Sequence, residues 1–218
     1  MLCVGLTGGL GAGKSTAARM FAALGAQVLS SDEMARAMMQ PGHPVYAAIV
    51  ERFGAAVVLA DGTLDRVALS RIAFAEGRVE ELNTIVHPAV IARQEELVEA
   101  IAVQDPHAVV MIESALVFET KHAGDEPWRK RFDKIVLVTA PEELKVARFV
   151  ARASKGVAVS DSERDALEAE ARRRLGLQMS DERKASLSDY VLTNDGPETE
   201  LEWQVDQLWV ILKAEAEA

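Results

Sequence analysis

The 218-residue sequence predicts an α/β fold built on a five-stranded parallel sheet. Three observations predict it. Short, nearly uninterrupted apolar runs alternate with helical patterns, as buried parallel strands do. A glycine-rich loop joins the first run to a helix. Between about residues 34 and 104 the pattern is almost wholly helical, which is the size of an insertion between strands.

Leu2–Thr7 is the first buried strand, and Gly8-Gly9-Leu10-Gly11-Ala12-Gly13-Lys14-Ser15 follows it. From Ser15, apolar Ala17, Met20, Phe21 and Leu24 fall at helical spacing, and Gly25 stops the helix. Ala26–Leu29 is the second strand; Ser30 or Ser31 caps the next helix, which Pro41-Gly42-His43-Pro44 ends. Val45–Phe53 reads as a helix closed by Gly54, with a possible extended stretch near Val57-Val58-Leu59. Helix then runs through residues 67–104, interrupted around Gly77 and at His87-Pro88. Strands resume at Ala108–Ile112, Lys134–Val138 and Asp189–Thr193. Capping boxes open helices at Thr139-Ala140-Pro141-Glu142 and Ser160-Asp161-Ser162-Glu163. A last helix, about Glu198 to Ala214, places Leu201, Val205, Leu208 and Leu212 on one stripe.

Composition bounds the function. Hydrophobic residues make up 49% and charged residues 27%, as in a soluble globular protein. The balance of 24 Lys+Arg against 34 Asp+Glu gives −10, so there is no overall field to attract nucleic acid; an anionic ligand needs a local positive cluster. Aromatics are sparse at 5%, without the basic-aromatic interleaving that binds single strands. The lone Cys3 excludes an intrachain disulfide and a Cys-rich zinc site. Met1–Gly5 lacks a basic n-region, and no run of about 18 apolar residues occurs. A cytoplasmic protein without a membrane segment is expected; oligomeric state is not legible.

The loop fits G-x-x-x-x-G-K-[ST] at every position. Its glycines let the backbone curl round a phosphate, its N–H groups point inward, and the helix N-terminus adds partial positive charge. Lys14 then reaches the β- and γ-phosphates and the Ser15 hydroxyl serves Mg²⁺. Asp32, just past the second strand, is either a base or Mg²⁺-ordering carboxylate or the N-cap of the helix beginning at Glu33; spacing does not choose. Glu113 resembles the acidic end of a Walker-B strand, although Asp is usual there. Arg148 and Arg152 share a helix face, and Arg172, Arg173, Arg174 and Lys184 follow. About half of these five arginines are expected at a phosphate and the rest in salt bridges. A GTP switch would need N-K-x-D and D-x-x-G, and neither occurs.

Several signatures in order make the chain resemble the dephospho-coenzyme A kinase family over nearly its whole length. Gly5–Ser15 resembles the family's opening. Phe53-Gly54 with Asp61-Gly62-Thr63-Leu64-Asp65-Arg66 and Leu69 is similar to its second signature. Ile85-Val86-His87-Pro88, Leu116-Val117-Phe118-Glu119, then Gln178, Asp189 and Asn194-Asp195-Gly196 continue the match. The resemblance implies transfer of the γ-phosphate of ATP, with Mg²⁺, to the ribose 3′-hydroxyl of dephospho-CoA. It implies Lys14, Asp32 (as base) and Arg148 as catalytic residues. Gly9, Leu10, Gly11, Ala12, Gly13, Lys14, Ser15 and Thr16 would hold ATP, Ser15 the metal, and Asn194 the neighbourhood of the adenine. Asp32, Arg66, His87 and Leu116 would meet the acceptor. The fold implied is a P-loop kinase core (about 1–33, 105–140 and 175–218), an inserted helical acceptor-binding domain (about 34–104) and a helical lid (about 141–174). Arg52, Arg66, Arg71, Arg78 and His87 are candidate contacts to the acceptor's diphosphate. The chain departs from the family pattern in four places. Ser30-Ser31-Asp32 replaces Asp-Ala-Asp, Ala115 replaces Pro, Glu113 replaces Asp, and Lys145 replaces Gln.

Overall fold

Every residue of β1 (Leu2–Thr7) is buried, as its apolar run requires of a central strand. The computed structural model describes residues 1–119 and 127–218. β1 lies between β3 (Val109–Glu113) and β4 (Lys134–Thr139), parallel to both. β4 pairs in parallel with β5 (Tyr190–Thr193), and β2 (Gln27–Ser30) lies beyond β3, giving the order β2-β3-β1-β4-β5. The strands run Val, Ile and Leu because both faces of the sheet are covered.

The chain divides into two compact units, Met1–Leu29 with Ile101–Ala218, and Ser30–Ala100. In the first, α1 (Lys14–Leu24) and α9 (Glu198–Glu217) pack on the sheet. Phe21 from α1 and Leu201, Val205, Leu208 and Leu212 from α9 meet Val4, Leu6, Met111 and Val136. A second cluster joins α6 (Glu142–Ala153) to α7 (Asp161–Gly176) through Val146, Phe149 and Ala171, with Leu10 of the glycine-rich loop packed against it. α8 (Asp181–Leu187) precedes β5.

The second unit contains α2 (Ser31–Met38), α3 (Pro44–Phe53) and α4 (Arg66–Ser70), the last continuing as a π turn over Arg71–Ala75. It also holds most of α5 (Val79–Gln104). Its own core gathers Ile49, Phe53, Val57, Leu64, Leu69, Val86 and Val90.

Local structure departs from expectation at three places. α5 runs unbroken through His87-Pro88: the proline removes one helical hydrogen bond, but Val86 and Val90 beside it are buried and hold the helix together. α6 begins without the capping box expected at Thr139, whose hydroxyl donates to Asp181 instead. The stretch at Val57-Val58-Leu59 contributes a short 3₁₀ turn and one bridge from Val58 to Leu64 rather than a strand.

Candidate active site

The loop between β1 and α1 is shaped by glycines that no other residue replaces. Gly13, the N-cap of α1, has φ +99°, and a Cβ there would run into the Asn194 amide. Gly11 has φ +76° and lies against the backbone carbonyl of Lys145. An L side chain is disfavoured at both by conformation and by space. Because α1 starts at Lys14, the N–H groups of Lys14 and Ser15 have no acceptor within the helix and are available to an anion, while those of Thr16 and Ala17 donate to the Gly13 carbonyl.

The rest of the first unit grips this loop from three sides. Asn194, 8% exposed, donates Nδ2 to the carbonyl of Ala12 at 2.8 Å. Gln178 accepts the N–H of Leu10 at 3.1 Å. Lys145, 6% exposed, places its ammonium beside Gly9 and pairs with Asp181, which also takes the Thr139 hydroxyl. A buried ammonium needs such a partner, since unpaired burial costs several kcal/mol, on the order of the desolvation penalty per ion.

At the foot of the loop, Ser15 Oγ donates to Glu113 Oε1 at 2.6 Å. A hydroxyl polarised by a carboxylate at the end of β3 is the donor set that a hard divalent cation on a phosphate uses, so these residues fit Mg²⁺. The Lys14 ammonium lies 3.4 Å from the Gly9 carbonyl, folded back along the loop. Arg148 donates Nη2 to Asn194 Oδ1 at 3.3 Å, while its Nη1 is buried without a hydrogen-bond partner among the described residues. An orphaned guanidinium N–H costs about 1–3 kcal/mol, which an incoming anion would relieve. The cradle and the orphaned donor both suit a polyphosphate.

The remaining basic residues divide. Arg172 pairs with Glu143 and Glu142, and Arg173 and Arg174 share Glu170, so all three lie in ion pairs on and beside α7. Arg152 is exposed and stacks over the Phe149 ring at 6.0 Å. Lys184, grouped by sequence with the phosphate-facing cations, is fully buried: it donates to the Ala115 carbonyl at 3.0 Å and pairs with Glu119 at 3.0 Å. Glu119 also accepts the N–H of Met179 at 3.1 Å, so the carboxylate of Leu116-Val117-Phe118-Glu119 holds the start of α8. Leu116 is half-buried, its N–H bonded to Ser114 Oγ.

In the second unit Ser30 is the N-cap of α2, accepting from the N–H of Glu33. Asp32 is therefore not the cap. It is exposed in the first turn, and no hydrogen bond or ion pair engages its carboxylate among the described residues. Arg66 is the first residue of α4, exposed, and His87 is half-buried within α5. Arg52 and Arg78, two of the candidate diphosphate contacts, both reach Glu81 instead.

Cys3 is buried in β1, and burial, reinforced by Asp133, pushes its thiol up to about 11, so it is a core residue rather than a nucleophile. Among the described residues no helix is long and apolar enough to cross a membrane. Sequence reasoning missed Asp181. Its carboxylate has no motif of its own, and only the unusual Lys145 hints that an acid must stand opposite.

A glycine cradle, a Lys-Ser pair at a helix start and an acid behind the serine, on a parallel sheet of this order, define a P-loop kinase. The solved structure of a shikimate kinase from Acinetobacter baumannii, 19% identical, shares the fold over 97% of this chain and 94% of that one with a TM-score of 0.51. Residues 2–200 match the family model described as Dephospho-CoA kinase, and the chain belongs to that family, whose enzymes complete coenzyme A synthesis by phosphorylating dephospho-CoA. A dephospho-CoA kinase from Leifsonia xyli is 38% identical over 98% of this chain and 100% of its own length. One from Mycolicibacterium paratuberculosis is 38% identical over 96% of this chain, which spans only 47% of that relative. The crystal structure of TT1252 from Thermus thermophilus, 29% identical, superposes over 97% of each chain with a TM-score of 0.71.

Proposed function

We propose that the chain transfers the γ-phosphate of ATP to the ribose 3′-hydroxyl of dephospho-CoA, in line and without a covalent enzyme intermediate. The observation that carries the chemistry is the Ser15–Glu113 hydrogen bond at the foot of the glycine cradle. Mg²⁺, when bound with ATP, supplies charge neutralisation at the β/γ oxygens. The chain's own residues supply the rest. The loop Gly9 to Thr16 holds the phosphates through those backbone N–H groups that make no bond within the protein, and Lys14 unfolds from Gly9 toward the γ-phosphoryl oxygens. Arg148 brings its unpartnered Nη1 to the charge that develops in transfer. Asp32, free of capping duty, orients the acceptor hydroxyl and takes its proton as the new P–O bond forms and ADP leaves. The Ser30–Ala100 unit supplies the acceptor contacts Asp32, Arg66 and His87, and Leu116, the fourth candidate, belongs to the other unit.

Asn194 is read as a neighbour of the adenine; both halves of its amide are engaged by protein, Nδ2 by Ala12 and Oδ1 by Arg148, so its side chain also sets the loop and the arginine. Incubation with Mg·ATP and dephospho-CoA, with AMP and nucleosides as control acceptors, tests the function. Coenzyme A and ADP in equal amounts are expected. Phosphorylation of AMP in preference to dephospho-CoA, or no transfer to dephospho-CoA at all, would reject this reading.

A further inference from the structure

The cations of the Ser30–Ala100 unit are not equally available. Arg52 and Arg78 hold Glu81 at 2.6 and 2.8 Å, and Arg93 holds Glu96 at 2.7 Å. Arg36, Arg66 and Arg71 have no such partner: among the described residues none of the three makes an ion pair, and Arg36 and Arg66 are the two that face one pocket. In a chain of net charge −10, two unpaired guanidinium groups at one pocket form a local positive cluster that an anion can use. They line a common pocket of about 230 Å³ with Met39, Gln40, Thr63 and Leu64.

The pocket's backbone is fixed before any ligand arrives. Asp61 accepts from both the N–H and the hydroxyl of Thr63, at 2.9 and 2.6 Å. Asp65 caps α4 by accepting from Val67 and Ala68 at 3.0 and 2.9 Å, which pins the backbone that carries Arg66. Leu64 between them is anchored in the unit's core. Arg36 stands on α2 four residues after Asp32, on the same face and about 6 Å farther along the axis. The 5′-phosphate of a ribonucleotide stands at a comparable reach from its 3′-hydroxyl, on the other side of the sugar.

We infer that Arg36 and Arg66 form a diphosphate subsite, which grips the 5′-diphosphate of the acceptor nucleotide one helical turn from the carboxylate that meets its ribose hydroxyl. This rests on the reading of Asp32 as the acceptor base. Two planar guanidinium groups match two phosphates by paired N–H···O bonds, which a single ammonium does not do. Gln40 and Thr63 add neutral polar groups at the pocket wall, and Met39 and Leu64 give it an apolar flank. The subsite explains selection for a nucleotide with a diphosphate over one with a monophosphate: the second phosphate gains the second arginine.

The test compares Arg36→Gln and Arg66→Gln with Arg93→Gln, whose arginine is paired elsewhere on α5. Steady-state kinetics are measured with dephospho-CoA and with AMP as acceptors at saturating Mg·ATP, and dephospho-CoA binding is measured by calorimetry. Each pocket variant should raise the dephospho-CoA KM and Kd by about ten- to a hundredfold, the loss of a charge-assisted hydrogen bond, with the KM for ATP unchanged. Preference for dephospho-CoA over AMP should shrink by a similar factor. Arg66→Lys should restore part of the loss, and Arg93→Gln should match the parent. Parent-like Kd for dephospho-CoA in both pocket variants overturns the subsite while leaving the kinase reading intact. Equal loss for ATP and acceptor would also overturn it, because it would place the arginines at a general structural role. Failure of the unsubstituted protein to bind or phosphorylate dephospho-CoA would overturn both, and is seen without any variant.

Discussion

Lys14 and Asp32 illustrate how a single side chain can be separated from the backbone that presents it. The phosphate loop is set by glycine conformations and by Asn194, Gln178 and Lys145, none of which depends on the Lys14 ammonium. Lys14→Ala should therefore keep its melting temperature and lose kcat by roughly 10²–10³-fold, the scale of removing one donor from a developing anion. Parent-like turnover in the folded variant would remove Lys14 from the transfer step. On α2 the cap and the proposed base are distinct residues, Ser30 and Asp32. Asp32→Asn should lower kcat with Tm and ATP affinity unchanged. Ser30→Ala should do the reverse, lowering stability by about 0.5–1 kcal/mol, since its long 3.4 Å cap bond lies at the weak end of the range. A thermal melt and a progress curve on each variant separate the two roles.

The helices that follow β4 are tied down by acids far away in sequence. Asp181 at the start of α8 joins Lys145 of α6 to Thr139 of β4. On the same α8, Lys184 is buried against Glu119 and the Ala115 carbonyl. Truncating Lys184 leaves Glu119, already with one unpartnered oxygen, without its cation and with only the Met179 N–H as donor among the described residues. Lys184→Ala should therefore destabilise by about 3 kcal/mol, the low end for breaking a buried pair, because the Glu119 side chain keeps 21% exposure. Lys184→Met with Glu119→Gln should recover much of that loss, since matched neutral groups avoid a stranded charge. Chemical denaturation of the single and double variants reads both effects. A Lys184→Ala change within about 0.5 kcal/mol of the parent would mean that the pair contributes little.

Across the whole molecule, the two units should respond to different ligands and to acid in different ways. A non-hydrolysable ATP analogue should slow amide exchange mainly around Gly8–Ser15, and dephospho-CoA mainly within Ser30–Ala100; acceptor protection confined to the other unit would contradict the division of labour. Within Ser30–Ala100, hydrogen bonding from Arg78, then from Arg52, holds the Glu81 carboxyl down from 4.5 to about 2. A depressed carboxyl stabilises fully above its unfolded value and loses that contribution as pH falls toward the folded one. Glu81→Gln should flatten the decline of Tm between about pH 4.5 and 2. An acid limb identical to the parent's would assign that decline to other carboxylates.

Much of this was already written along the chain. β1, the glycine loop and α1 are contiguous, and hydrophobic period, glycine placement and the Gly25 stop specify them locally. The strands, the Ser160 capping box and the apolar stripe of α9 are local in the same sense. Long-range pairing is not. Glu113 meets Ser15 across 98 residues, and Asn194 meets Ala12 across 182. The sequence held a candidate acid and a candidate serine, but only the sheet order β3-β1 brings their ends together. Charge was the least legible property. A run of three arginines on α7 drew attention, yet their own helix and α6 neutralise them, while Lys184 vanished into the interior. Arg36 and Arg66, isolated in sequence, stay unpaired and share a pocket. Sequence by itself determined which backbone segments form and where a phosphate can be held, because those depend on neighbours along the chain. Which charges remain free to meet a ligand was decided by the tertiary structure, since it sets which opposite charge each one finds first.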